Sequence, residues 1–313
     1  MIGLRLIASY IPPARACNFA ASTALGVSET MLRDKIGFLS RSVLGETQDT
    51  ADLACAAVQQ LREKAGDLLQ RLDCLVVCTQ NPGGGGLPHV SSVVHGRLRL
   101  DPEVACFDIG LGCSGYIYAL SLVSSFMAAN GFSSGVIVTA DPYSKIVDPT
   151  DRNTALLFGD AACATLLTTD ALYGLGPFRF GTVGSEGHHL RNEGGKLVMN
   201  GRAIFDFAMR TIPKQVDDVL SAARLSRADI DAYAFHQGSK YIVDMLAQRL
   251  ALSPERVLRG DETVGNTVSS SIPLLLEPLL ALDARRPRRI LASGFGVGLS
   301  SATAVLTRTT NDP

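Results

Sequence analysis

The sequence has no charge imbalance, no long apolar run and few aromatic residues. Lys and Arg number 29 against 30 Asp and Glu, a net charge of −1. That balance excludes broad electrostatic binding to nucleic acid or to an anionic membrane. No apolar run approaches the roughly 18 residues that a bilayer-spanning helix needs. The opening Met1–Ala8 is too short for a signal peptide and soon meets Pro12-Pro13, so a first strand is expected there. Seven cysteines, an odd number without framework spacing, fit a reduced cytoplasm. Cys74 and Cys78 share one strand face with no second pair or nearby histidine, so core packing is expected there and no metal site. The run Gly83-Gly84-Gly85-Gly86 is not followed by Gly-Lys-Ser/Thr, which excludes a P-loop. Tryptophan is absent altogether.

What is present is a globular chain of 313 residues, 46% hydrophobic and 19% charged, enough for a large core. Its organising stretch is Phe107-Asp108-Ile109-Gly110-Leu111-Gly112-Cys113-Ser114-Gly115. An apolar run, Val104 to Ile109, predicts a buried strand, and Tyr116 to Ala129 predicts a helix. Cys113 stands where the helix begins, and a helix N-terminus is expected to lower its pKa toward the thiolate. Strand, sharp turn, nucleophile and helix is one way to present a reactive atom. Two other readings remain open on this stretch alone. The thiol could be a small core residue. Alternatively, Gly110 to Gly115 matches G-x-G-x-x-G, and Asp141 ends the next strand as a ribose-binding acid would, which describes a dinucleotide site in an NAD(P) oxidoreductase.

The remaining chain predicts strands at Leu4–Ser9, Leu72–Cys78, Gly135–Ala140, Ala155–Phe158 and Ala161–Leu167. Helices are expected over Ser28–Lys35, from Thr50 toward Leu69, and over His89–Leu98. The second half repeats the first. Helix Phe205–Ala223 parallels the one after Thr50, strand Asp231–Phe235 parallels Asp73–Cys78, and helix Tyr241–Leu250 parallels His89–Leu98. Leu252-Ser253-Pro254-Glu255 parallels Leu100-Asp101-Pro102-Glu103. Helix Ile272–Leu282 parallels the helix after Cys113, Arg289–Ser293 parallels the strand from Gly135, and Ser301–Leu306 parallels Ala161–Leu166. Two similar α/β halves related by a pseudo-two-fold follow, 1–172 and 173–313.

This symmetry brings the loop after strand 231–235, with His236, and the loop before helix 272–282, with Asn266, toward Cys113. A cysteine, a histidine and an asparagine on such loops form a constellation for acyl chemistry. Several motifs then stand in order: Gly112-Cys113-Ser114-Gly115, Asp148-Pro149-Thr150-Asp151-Arg152, Phe158-Gly159-Asp160-Ala161-Ala162, Met199-Asn200-Gly201-Arg202, His236-Gln237, Gly265-Asn266-Thr267 and Gly294-Phe295-Gly296-Val297-Gly298. Over essentially the whole chain they resemble the ketoacyl-acyl-carrier-protein synthase III family, condensing enzymes of the thiolase fold.

The resemblance implies a five-layered α-β-α-β-α arrangement of duplicated βαβαβαββ halves, and a cytoplasmic homodimer. It implies a decarboxylative Claisen condensation in fatty-acid, polyketide or related specialised metabolism, without a permanent cofactor. Cys113 would take an acyl group from coenzyme A or an acyl carrier protein. The backbone N–H groups of Cys113 and Val297 would form the oxyanion hole. Val297 stands where glycine is usual and is expected to narrow the site. His236 and Asn266 would hydrogen-bond the carbonyl of a malonyl- or β-ketoacyl-type thioester. Asp160 is expected to be structural. Asn200, Gly201 and Arg202 would wall the pantetheine tunnel, and Arg152 would pack on an adenine or else pair with Asp148 or Asp151. Met31 falls where the family has a stacking tryptophan, and a thioether stacks less well than indole. Ser239, Lys240 and Tyr241 depart from the family pattern after His236-Gln237, which would alter carrier docking. Leu87 would reach across a dimer to end the partner's acyl pocket and leave room for a longer group. Transfer of the acyl group from Cys113 to a hydroxyl or amine is the alternative outcome of the same site.

Overall fold

The computed structural model describes residues 2–69, 71–282 and 286–309. Met1 and the last residues of the expected C-terminal half, 310–313, lie outside the described residues. The N-terminal half contains β1 (Gly3–Tyr10), the short antiparallel pair β2 (Arg15–Cys17) and β3 (Ser40–Ser42), and between them α1 (Asn18–Ala24) and α2 (Glu29–Met31). It continues through α3 (Thr50–Ala65), β4 (Cys74–Cys78), α4 (Val90–Arg97), β5 (Ala105–Ile109), α5 (Gly115–Asn130), β6 (Ser134–Ala140) and β7 (Ala162–Thr168). The second half runs β8 (Tyr173–Thr182), a hairpin of β9 (Leu190–Glu193) and β10 (Lys196–Met199), α6 (Gly201–Ala223), β11 (Ala232–Phe235), α7 (Lys240–Arg249), α8 (Ser271–Leu280), β12 (Arg289–Gly296) and β13 (Ser300–Arg308).

The large sheet has the order β11-β12-β13-β8-β1-β7-β6-β4-β5. It is a palindrome about the β8/β1 seam. Outward from the seam, the N-terminal half reads β1-β7-β6-β4-β5, and the C-terminal half reads β8-β13-β12-β11. The partner of β5 is reduced to one parallel bridge, Tyr233 to Val257. The seam is short, with Gly3 opposite Gly174 and Leu4 opposite Tyr173.

Three helical layers accompany the two half-sheets. α5 packs on β4 and β6 on one side and on β8, β12 and β13 on the other. α8 lies between β1 and β7 and β11 and β12 in the same way. α3 and α4 cover the outer face of the N-terminal half, and α6 covers that of the C-terminal half with α7 against it. This is the expected five-layered arrangement. A central helix must be apolar on all sides, and α5 buries Tyr116, Ile117, Leu120, Val123 and Met127 completely. At about 1.5–3 kcal/mol for each large apolar side chain, this layer is a major hydrophobic contribution. The outer helices carry polar caps instead. Asp49 and Asp52 form a capping box on α3, Asn200 caps α6 and Ser239 caps α7.

One sequence expectation fails, and one long strand goes unpredicted. Ala155–Phe158 is not a strand, for residues 152–157 form turns and Phe158 makes a single parallel bridge to Asn266. The segment is held instead by buried Asp160, whose carboxylate accepts from the Leu44 N–H and from the Ser144 N–H and hydroxyl. Asp160 is thus structural, as expected. Strand β8 was not anticipated, because Gly174, Gly176, Pro177 and Gly181 interrupt its pattern. The proline is accommodated at a register shift against Ala304 to Leu306 of β13.

Candidate active site

β5 brings the chain to Cys113, and α5 carries it away. Ser114, at the head of α5, gives the helix no side-chain cap; its hydroxyl pairs instead with that of Ser300 in the opposite half. Cys113 is 4% exposed. Burial, reinforced by the charge of Asp141, pushes its thiol up to about 12. The helix N-terminus was expected to favour the thiolate; loss of hydration outweighs it, and the resting group is a neutral thiol. The backbone amides of Val297 and of Cys113 itself act in the opposite sense and lower it.

Glycines clear the space. A Cβ on Gly296 would lie 2.8 Å from the Cys113 sulfur, and one on Gly294 would lie 2.4 Å from its carbonyl oxygen. The glycines before and after the thiol serve packing as well. A Cβ on Gly115 would meet Cys78 Sγ at 2.4 Å, and one on Gly112 would meet Val297 Cγ1 at 2.9 Å. Val297 therefore leans on Gly112, and it does not line the cavity described below. The dinucleotide reading fails on Asp141. That carboxylate is fully buried and accepts from Thr79 Oγ1, the Gln80 N–H and both the N–H and hydroxyl of Ser269. It ties the two halves together and offers nothing to a ribose.

His236 follows β11 and is 2% exposed. Its Nδ1 lies 2.6 Å from Ser271 Oγ, and the Gln237 N–H donates to the same oxygen at 3.4 Å. Among the described residues the Ser271 hydroxyl has no acceptor for its hydrogen other than Nδ1, and donation there leaves the imidazole hydrogen on Nε2. Burial lowers the His236 pKa to about 3, so the ring is neutral near pH 7. Asn266 is held by the other half: the Gly159 N–H donates to its carbonyl at 3.0 Å, and its own N–H donates to Leu157 O at 2.8 Å. Its side-chain oxygen accepts from the Val268 N–H at 2.9 Å, which leaves the amide NH2 as the free end. Val268 adopts φ +54° to make that bond, a strained conformation for a β-branched residue.

Cys113, His236 and Asn266 line one open cavity of about 220 Å³. Its remaining wall is largely apolar and includes Phe158, Leu190, Ile204 and Phe295.

Comparison with known proteins agrees with this arrangement. Residues 107–184 match the model of 3-oxoacyl-[acyl-carrier-protein (ACP)] synthase III, and residues 220–308 match the model of its C-terminal part. The β-ketoacyl-[acyl-carrier-protein] synthase III of Lactococcus lactis subsp. cremoris strain MG1363 is 30% identical over 96% of this chain and 97% of its own. The chain belongs to the ketoacyl-acyl-carrier-protein synthase III family. The crystal structure of the Thermus thermophilus synthase III superposes with a TM-score of 0.90 at 31% identity, covering 98% of this chain and 99% of the other. The priming β-ketosynthase of the R1128 polyketide pathway superposes at 0.88 and 26% identity, covering 100% and 97%. The protein is a condensing acyltransferase of the synthase III type, in fatty-acid or polyketide metabolism.

Of the other residues expected at a synthase III site, Met31, Arg152, Gly201 and Ser239 line the cavity. Arg152 reaches Met31 Sδ at 3.9 Å rather than Asp148 or Asp151, whose carboxylates accept from Thr150 and from Asn153 and Thr154. Asn200 stands beside the cavity as the cap of α6. Arg202 and Lys240 do not line it and form ion pairs with Asp206 and Asp244, at 2.9 and 3.4 Å. Leu87 lies outside the cavity and is 89% exposed. Sequence reasoning missed Ser271, which looks like an ordinary helix-start serine. It also missed Lys35, whose ammonium sits 3.5 Å over the Tyr241 ring at the cavity wall.

Proposed function

We propose that this synthase III joins an acyl group carried on Cys113 to a malonyl-type thioester with loss of CO2. The observation that carries the reading is the convergence of Cys113, neutral His236 and Asn266 on one cavity. In the first step Cys113 attacks the donor thioester. The new S–C bond forms as the donor C–S bond breaks, and the thiol proton passes to the departing thiolate. The N–H groups of Cys113 and Val297 hold the oxyanion that develops.

In the second step the malonyl carboxylate leaves as CO2, and its bonding electrons become an enolate. His236 Nε2–H and the Asn266 NH2 hydrogen-bond the enolate oxygen. The enolate carbon attacks the acyl carbonyl, a C–C bond forms, and Cys113 departs as a thiolate that regains a proton. Decarboxylation makes the carbon nucleophile, so no strong base is required. A donor-only imidazole of low pKa suits that role.

The thioester arm enters past Met31, Arg152, Gly201 and Ser239, with Asn200, Arg202 and Lys240 at the rim. With Met31 in place of a stacking indole, a carrier-protein thioester is favoured over coenzyme A as donor. We assign the halves to 1–172 and 173–313, and a homodimer in which Leu87 is covered by the partner.

Mass spectrometry of the protein after incubation with a panel of acyl thioesters should show adducts on Cys113 that Cys113→Ala abolishes. His236→Ala and Asn266→Ala should load and then fail to release CO2 from labelled malonyl thioester. A panel without a single adduct would sink the reading.

A further inference from the structure

A half-buried cation stands close behind the active site without a counter-ion. Arg41 lies on β3, and its Nε donates to Asn18 Oδ1 at 2.8 Å. Asn18 is fully buried, and its own amide is spent on Phe38 O and Leu156 O, both at 2.9 Å. The orientation of the guanidinium is thereby fixed. Its Nη1 makes one long bond, 3.4 Å to Phe158 O, and Nη2 makes none among the described residues. Nη2 is not sealed in either, for it is not among the buried polar atoms that lack a partner. Nor does a carboxylate reach Arg41. Asp160 acts on it through space, while the Asp160 oxygens are taken by Leu44 and Ser144.

Arg41 borders a second cavity, of about 270 Å³, that shares no residue with the cavity of Cys113. Apart from Arg41 and Ser144 its wall is alanine, valine and proline, including Ala21, Val43, Val147 and Pro149. The Ser144 hydroxyl is spent on Asp160, so Arg41 is the one side chain in the wall with donors to spare. A partly desolvated guanidinium without an anion is costly, because its charge has lost water and gained no partner. A planar fork of N–H groups matches a carboxylate, and an apolar wall matches a short hydrocarbon. A phosphate would need several further donors, and the other side chains of the wall offer none. We propose that this cavity is a binding site for a short aliphatic monocarboxylate, with its carboxylate on the Nη1–Nη2 edge of Arg41 and its tail against Val43, Val147 and Pro149. The site goes beyond the condensation described above and does not rest on it. It is nonetheless adjacent: a Cβ on Gly265, next to Asn266, would lie 3.2 Å from Arg41 Cγ.

The test is a titration of the full-length protein with butyrate at pH 7, followed by the carbon-13 shifts of the Val43 and Val147 methyl groups. Butyrate should move them in a saturable way. Butyramide, of the same shape and uncharged, should bind at least about tenfold more weakly, the scale of one hydrogen bond between charged groups. Inorganic phosphate should bind no better than butyramide. Arg41→Gln should weaken butyrate by about tenfold or more, and Arg41→Lys by less, because the charge survives without the fork. Arg41→Gln also loosens Asn18, so Ala21→Leu serves as a second variant. It keeps Arg41, fills the cavity and should abolish the shifts. Shifts confined to Leu190 and Ile204, which line the active-site cavity, would place butyrate there and overturn the assignment. So would equal binding of butyramide, tighter binding of phosphate, undiminished butyrate binding in Arg41→Gln or Ala21→Leu, or no saturable shift at all.

Discussion

At the scale of single residues, the site works by fixing which atoms carry hydrogen. Donation from Ser271 to His236 Nδ1 assigns the proton to Nε2, and acceptance from the Val268 N–H by the Asn266 side-chain oxygen leaves its NH2 outward. Both residues are presented as donors. Ser271→Ala removes the first constraint and should cut CO2 release by about tenfold while leaving Cys113 loading unchanged. The nitrogen-15 shifts of His236 should move from a single Nε2–H tautomer to a mixture, a change that a purely structural serine would not cause.

Burial of His236 also sets an acid limit. The unfolded ring takes a proton near pH 6.5, whereas the folded ring resists until about 3. Between these values the unfolded state binds more protons, so this group's contribution is intact above pH 6.5 and is lost as pH falls toward 3. The slope is about 1.4 kcal/mol per pH unit, and His236→Asn should flatten it in urea titrations at pH 6 and 4. Gly296→Ala tests the room around the sulfur. Its Cβ would sit 2.8 Å from Cys113 Sγ, so adduct formation should drop by at least about a hundredfold, the scale at which small misplacements act.

At the scale of elements, what was legible in the sequence was what repeats and what is strongly periodic. β4, β6, α3, α5, α6 and β11 were readable because their apolar patterns are long or occur twice. The triad was readable because Cys113, His236 and Asn266 each sit where such an element ends. β8 was not, since its strand pattern is broken by glycines and by Pro177, and only its pairing with β13 and β1 makes it a strand. The rise in the Cys113 pKa was also illegible. A helix start can be read locally, but burial depends on α8, β12 and the opposite half. Lys35 and Tyr241 are far apart in sequence and meet only because α7 packs near the segment after α2. Gly159 is the element-scale test. A Cβ there would lie 1.8 Å from Val264 O, and backbone cannot give way as a side chain can. Gly159→Ala should cost about 1–3 kcal/mol or more in urea unfolding and should stop condensation by displacing Asn266.

At the scale of the whole molecule, polar ties join the two halves across the middle, among them Ser114 to Ser300, Ser270 to Thr139 and Asn266 to Leu157 and Gly159. Asp141 is the chief one at the site, joining Thr79 and Gln80 of the first half to Ser269 of the second. Asp141→Ala would strand several buried donors and should destabilise the protein by roughly 3 kcal/mol or more, read as a lowered denaturant midpoint.

The halves repeat one another, yet neither repeats the chemistry. The proposed nucleophile, Cys113, belongs to one and His236 to the other. Asn266, though encoded in the second, has its backbone clasped on both sides by Leu157 and Gly159 of the first. Turnover therefore reports on assembly. Fragments divided at the exposed turn around Asp170 would each be inert, and recovered CO2 release on mixing would measure, bond for bond, how faithfully one half finds the other.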